Sequence, residues 1–547
     1  MKRLAILLGI LLLGLPDLAL SARTCGTAQL IEHFRQQRNA SRTKNIPDRK
    51  ISARTTSPGC TVDDYFDVVY TKKTEHFEIF YTLDGPHKTT TNYVDSLGTA
   101  LEYAWKFHVT QSGMLPPLGI RRTTHYQKEV EPGLYPVEVV DIAQSRDYGQ
   151  LCSQCFGMTI PDDSSRSNLM IENDFYYAPA YPSIKDTVKY NGKSCTYQRA
   201  TESLENPAYN YPYATQWVNG LRVTAVHELY HAVQLRYLDY QEHDTFWFEA
   251  SASGIEEVAT PDIDDYFLYL PQMANTVGTP LDKGESDYGS GIFLLYLYNH
   301  VGRDTDKRIW ENFANYPDKP FQYQLKKVAA SRKLSADSLF HDFAIRLSFT
   351  GDRSSMVDSS YWIDDDQPRW PEFRTVSEEG IFDPFDLDTL SYRFYSNGEP
   401  DLSTFKGRAS AVNIRKDSYS VHFLPTTNSI KSFLQENSQA APDSVIWILS
   451  RFVETELIPA TQDADFDSTL RAYPVPWRHG NLCFTPLPLD KEHIEIRNRR
   501  GNLVEKIKYD RSTICLSEDK VKSLFAPGVY RFRVGNSGKT KNFIVVY

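Results

Sequence analysis

The chain has 547 residues, of which 41% are apolar, 24% charged and 13% aromatic, with 28 Gly and 30 Pro. These values exclude a disordered chain, a collagen-like repeat and a low-complexity polymer. Sixty Lys and Arg against 70 Asp and Glu leave a net charge of −10, which argues against a nucleic-acid partner.

Lys2 and Arg3 precede an apolar run, Leu4 to Leu15, and small residues Ser21 and Ala22 follow. A basic start, a short apolar run and a small-residue exit predict a secretory signal peptide over 1–22. The run is shorter than the roughly 20 residues a membrane-spanning helix needs. No other stretch is apolar enough to span, so the mature chain is expected to be exported without a transmembrane segment. Seven cysteines fit export, with disulfides and one thiol left over. Spacing does not fix their pairing. Cys152 and Cys155 have no second such pair to complete a four-thiolate metal site.

Residues 23–60 are polar and basic without periodicity, as in a linker or pro-segment. Within 61–375, His76–Tyr81 alternates like a strand. Val94, Leu97, Leu101, Ala104 and Trp105 recur at helical spacing. Strands are expected at Val137–Ile142, Gly157–Ile160 and Leu169–Ile171. Helices are expected over Thr215–Tyr240, Phe246–Val258, Asp287–Val301 and Ala336–Phe349, the last with Ser335 as N-cap and Gly351 past its end. The fold class is α+β: a small N-terminal mixed sheet, a helical half, then β-rich C-terminal domains. After residue 375 helical periodicity disappears, and 376–470 reads as a β domain of unassigned role. Asp463, Asp465 and Asp467 begin like a calcium loop, but Ser468 and Pro474 stand where Gly and Glu are needed. Asp364–Asp366 reads as a solvated turn.

The chemistry lies in Val226-His227-Glu228-Leu229-Tyr230-His231. Two histidines four apart on a helix share one face, so both imidazoles can hold one metal ion. Glu228, beside the first, is placed to take a proton from a water at the open side of that ion. A catalytic zinc site needs a third protein ligand and an open fourth position. Glu249, at the start of the next helix, can be carried back to the histidines by an antiparallel turn. Glu256 shares its face and can hydrogen-bond a ligand from behind. Glu256 and Glu257 are rival third ligands at longer spacing.

This arrangement resembles the gluzincin metallopeptidases, the thermolysin-like and aminopeptidase N-like enzymes, over about 62–350. The resemblance implies one Zn²⁺ per chain on His227, His231 and Glu249, with Glu228 as general base. Tyr288-Gly289-Ser290-Gly291 matches the aminopeptidase branch's Tyr-x-x-Gly, which implies that Tyr288 donates to the reaction oxyanion. Phe248 departs from the Asn common before the third ligand. The Gly-x-Met-Glu-Asn amine anchor is absent; Met170-Ile171-Glu172-Asn173 is a faint echo, read rather as an edge strand pairing with substrate backbone. Endopeptidase is therefore favoured over aminopeptidase. The alternative outside enzymes is a surface adhesin keeping a structural metal site.

Residues 471–547 read as short strands joined by Gly/Asn turns, a small β-sandwich. Tyr473-Pro474-Val475-Pro476-Trp477, Arg500-Gly501-Asn502-Leu503-Val504 and Gly528-Val529-Tyr530 resemble the sorting domain of the type IX secretion system. That resemblance implies engagement with secretion machinery, a bacterial source, and delivery to the cell surface or medium. The expected substrate is a protein or peptide.

Overall fold

The computed structural model describes residues 25–27 and 30, most of 68–173, a hairpin within 184–199, and most of 217–452 and 471–546. The expected signal peptide, nearly all of 23–60 and the Asp463–Asp467 segment lie outside the described residues. Among the described residues no helix is long and apolar enough to cross a membrane.

The N-terminal unit is a mixed six-stranded sheet of β1 (Tyr70–Lys73), β2 (Phe77–Tyr81), β3 (Leu118–Gly119), β4 (Tyr135–Val140), β5 (Gly157–Pro161) and β6 (Arg166–Glu172). β2, β4 and β6 run parallel; β5 is antiparallel to β6. Every residue of β2, β4 and β5 is buried, as expected of strands covered on both faces. A separate hairpin pairs β7 (Ile184–Tyr190) with β8 (Lys193–Arg199). β1 and this hairpin have weak alternation and were not expected from sequence.

Helix α1 (Thr91–Trp105) packs its Val94, Leu97, Leu101 and Ala104 stripe inward. Thr90 caps it by accepting from Tyr93 N at 3.2 Å, a contact type that stabilises by about 1 kcal/mol. A π-helical turn, Lys106–Gln111, follows and places His108 Nε2 2.9 Å from Val226 O, against the next helix. Burial lowers His108 to about 4, so its ring is neutral and Nε2–H is the donor.

Helix α2 (Trp217–Gln234) is buried without interruption from Val223 to Gln234. Its polar residues Thr224, His227, Glu228, His231 and Gln234 recur every three to four positions, so they form one polar stripe on a buried helix. Helix α3 (Phe246–Ala259) returns beside it. Short α4 (Leu270–Asn275) precedes α5 (Gly291–Tyr296), which passes into a π turn, Leu297–Val301. The helix expected from Asp287 thus begins at Gly291, and Tyr288 stands in the turn before it. α3 and α5 touch backbone to backbone: a Cβ on Gly254 would lie 2.5 Å from Gly291 O. Helices α6 (Thr305–Asn315), α7 (Phe321–Ser331) and α8 (Ala336–Leu347) complete the half, with Ser335 capping α8 as expected.

Two expectations for 376–470 need correction. The segment includes a helix, Thr427–Gln439, beside a four-stranded sheet of 391–395, 408–415, 418–423 and 444–451. It also does not stand apart. Leu390, Tyr392, Phe394, Val412, Ile446 and Ile448 belong to the same apolar core as α2, α3 and α8. The C-terminal part forms a three-stranded and a four-stranded sheet around Trp477, Phe484, Phe532 and Phe543. Cys483 and Cys515 join there in a disulfide. A short helix, Glu518–Leu524, was not expected.

Candidate metal centre

The polar stripe of α2 faces α3 and β5, and there the expected residues meet. His227 Nε2 lies 2.9 Å from His231 Nε2. Glu249 Oε2, from the first turn of α3, lies 3.4 Å from His227 Nε2 and 3.5 Å from His231 Nε2. All three side chains are buried. A tetrahedral zinc with bonds near 2.0–2.1 Å holds its ligand atoms about 3.3 Å apart. The two carboxylate separations match this, and the imidazoles stand slightly closer.

The far side of each ring fixes which atoms carry lone pairs. Glu256 Oε1 is bonded to His227 Nδ1. Gln234 Oε1 is 2.7 Å from His231 Nδ1. Gln234 Nε2 donates to Phe248 O at 3.0 Å and to Ser251 Oγ at 2.9 Å, which settles the amide orientation. Its oxygen therefore accepts, and His231 carries its proton on Nδ1. With Glu256 accepting likewise, both Nε2 lone pairs point at each other and at Glu249 Oε2, which no hydrogen bond of ordinary geometry satisfies. These converging acceptor atoms form a buried donor set that could hold a metal ion.

The electrostatics agree. Burial opposes charge on His231, but Glu249 and Cys25 outweigh it and push the ring up to about 10. Burial likewise opposes charge on His227, and Cys25 and Glu256 drive it well above the ordinary range. Burial works against ionising Glu249, yet the two imidazoles hold it down to about 2. Burial raises Glu256, with His227 acting in the opposite direction. A divalent cation on two imidazoles and a carboxylate fits this donor set.

Glu228 stands beside this cluster, 1% exposed. The Thr159 hydroxyl lies 2.9 Å from its Oε2 and 2.7 Å from its backbone O, and the Thr27 hydroxyl donates to Oε2 at 3.0 Å. β5 comes close because residue 157 is Gly: a Cβ there would lie 2.6 Å from Glu228 Cγ. Tyr288 lines the same cleft. Its ring is roughly parallel to that of His227 with centroids 6.1 Å apart, and it stacks on Tyr269 at 5.0 Å. Burial first, then Glu249 and Cys25, raises its phenol well above the ordinary value, so it is a hydrogen-bond donor throughout the neutral range.

His227, Glu228, His231, Glu249, Glu256 and Tyr288 therefore lie around one cleft. Other candidates do not. Glu257 groups with Asp364 and Asp366 rather than with the imidazoles. Asp364 is correspondingly not a simple solvated turn: Tyr266 Oη is 3.5 Å from its Oδ1. Glu172 belongs to β6, which is paired on both sides and is no edge strand, and its Oε2 accepts from Ile142 N at 2.9 Å. The edge beside the site is β5.

Gln234 and Cys25 were among the residues at the site that were not expected. Gln234, three positions past His231, was legible as part of the same helical face. Cys25 was not. Its Sγ belongs to one group with His227, His231 and Glu249 whose ligand-type atoms all lie within 4.8 Å of one another. Cys25 is buried and forms no disulfide. Burial, then Glu228 and Glu249, raises its thiol.

No family model and no curated protein matches the chain. Among solved structures, PorZ, a surface component of the type IX secretion system of Porphyromonas gingivalis, is similar at 15% identity with a TM-score of 0.14. The similarity covers 18% of this chain and 14% of PorZ, too little to inform fold or activity.

Proposed function

We propose that the chain is a secreted zinc metallopeptidase with a gluzincin-type centre, cleaving within protein or peptide substrates. The observation that carries this reading is the convergence of His227 Nε2, His231 Nε2 and Glu249 Oε2, with Glu228 beside them. Zinc, when bound, supplies Lewis-acid polarisation of the scissile carbonyl and acidifies water. Glu228 takes the water's proton, held in place by Thr159. Glu256 and Gln234 orient the two imidazoles from behind. Tyr288 donates to the oxygen that becomes negative as the carbonyl is attacked.

Glu172, the nearest echo of an amine anchor, is committed to Ile142 N, which favours endopeptidase over aminopeptidase. A surface adhesin with a structural metal would need ligands but no carboxylate beside them, so Glu228 weighs against it. The described residues of 471–546 form two small sheets, and we assign this segment to engagement with secretion machinery. The test is cleavage of an unfolded protein by the parent chain and by Glu228→Gln at equal zinc content. Equal rates in the two would overturn the reading.

A further inference from the structure

We propose that Cys25 is a fourth ligand of the metal centre and that residues 25–27 hold the site closed from within the chain. This inference rests on the zinc site proposed above. A catalytic site leaves one position for water. Here the Cys25 thiol stands in the same group of ligand atoms as His227, His231 and Glu249. Thiolate is a stronger zinc ligand than water, and coordination releases the thiol proton to solvent. Thr27 N donates to Cys25 Sγ at 3.2 Å, which supports the thiolate.

The flanking residues occupy the other working parts of the cleft. Thr27 Oγ1 donates to Glu228 Oε2, using an acceptor that the attacking water's proton needs. Gly26 N donates to Gly157 O at 3.0 Å, and Thr159 N donates to Thr27 Oγ1 at 2.8 Å, so the segment lies along β5 where an extended substrate backbone could pair. The Tyr288 hydroxyl is 3.4 Å from Cys25 O, so the oxyanion donor is also engaged. Leu30, fully buried in a cluster with Phe80, Val140, Met158 and Met170, anchors the segment. Ligand position, general base, backbone-pairing edge and oxyanion donor are thus all taken by one short stretch. Because that stretch is tethered, its effective concentration at the site is in the millimolar range or above.

The test uses the full chain loaded with cobalt(II) in place of zinc. The parent chain should show a near-ultraviolet thiolate-to-cobalt charge-transfer band that Cys25→Ser lacks. Iodoacetamide applied to the native zinc-loaded chain should leave the peptide holding Cys25 unmodified, whereas the unfolded chain should be labelled. If fewer than about one parent molecule in ten is open, Cys25→Ser should raise the initial cleavage rate about tenfold or more. Cobalt binding without the band, together with native labelling of Cys25, would overturn the inference and leave the zinc site standing. A chain that binds neither zinc nor cobalt would overturn both. The band and the labelling pattern are read on the parent chain, so the test survives a Cys25→Ser variant that does not fold.

Discussion

Gln234 Oε1 accepts from His231 Nδ1 at 2.7 Å while its amide nitrogen is tied to Phe248 O and Ser251 Oγ. One residue therefore sets both the tautomer of a proposed metal ligand and the seat of α3, whose first turn carries Glu249. Gln234→Leu keeps the approximate volume but leaves His231 Nδ1–H unpaired. Zinc affinity, measured by competition with a chromophoric chelator, should weaken about 10–100-fold. Glu256→Leu should act similarly through His227.

Glu228→Gln should retain the fold and the metal and lose about 10²–10⁴-fold in kcat, because the amide cannot accept the water's proton. The readout is kcat on an unfolded protein substrate at matched zinc content.

Tyr288→Phe should lower kcat about 10²–10³-fold with little change in KM, since the hydroxyl acts on charge that develops only in the transition state. The ring stays stacked on Tyr269, so the melting temperature should hold. Wild-type kcat in this variant would make Tyr288 a packing residue.

Glu257 offers a pH test outside the proposed ligand set. Burial first, then Asp364, Asp264 and Asp366, pushes its carboxyl up to about 9. The folded value lies above the ordinary one of 4.5, so its contribution to stability is full at low pH and is lost as pH rises through the folded value. The melting temperature of the parent chain should fall between about pH 5 and 9. Glu257→Gln, which carries no charge to bury, should flatten that fall. An unchanged slope would mean the carboxyl is ionised and solvated in the folded chain.

Truncation at residue 471 should abolish export from the native host while leaving cleavage measurable. It should also lower the melting temperature, because Val529 and Ile544 pack into the main core and Arg236 bonds to Pro527 O. Normal export of the truncated chain would contradict the sorting role.

Much of the site is local in sequence and so was legible there. His227 and His231 declare themselves by a spacing of one helical turn, and Glu256 by sharing a face with Glu249. Gln234 and Thr224 lie on the same stripe as the histidines and follow from the same periodicity. Cys25 and Thr27 do not: Thr27 and Glu228 are 201 positions apart, and no period links them. Gly157 looks like any strand-edge glycine until Glu228 is set against it. Among the helices, α6 was not expected although Ile309, Trp310, Phe313 and Ala314 form its buried stripe. The helix at 427–439 was missed because its Asn and Ser content weakens helix propensity. The merging of 376–452 into the main core depends on long-range packing that composition does not encode.

The most direct measurement is metal content with cleavage activity in matched chains: the parent, Cys25→Ser, and Cys25→Ser carrying either Glu228→Gln or His231→Ala. One zinc per chain is expected in the first three and almost none in the His231→Ala chain. Cleavage of an unfolded protein should be measurable in the parent, strongest in Cys25→Ser, and well below the parent's in the two chains that also carry Glu228→Gln or His231→Ala. Absence of zinc from the parent, or undiminished cleavage in the Glu228→Gln chain, would contradict a zinc peptidase built on His227, His231, Glu249 and Glu228.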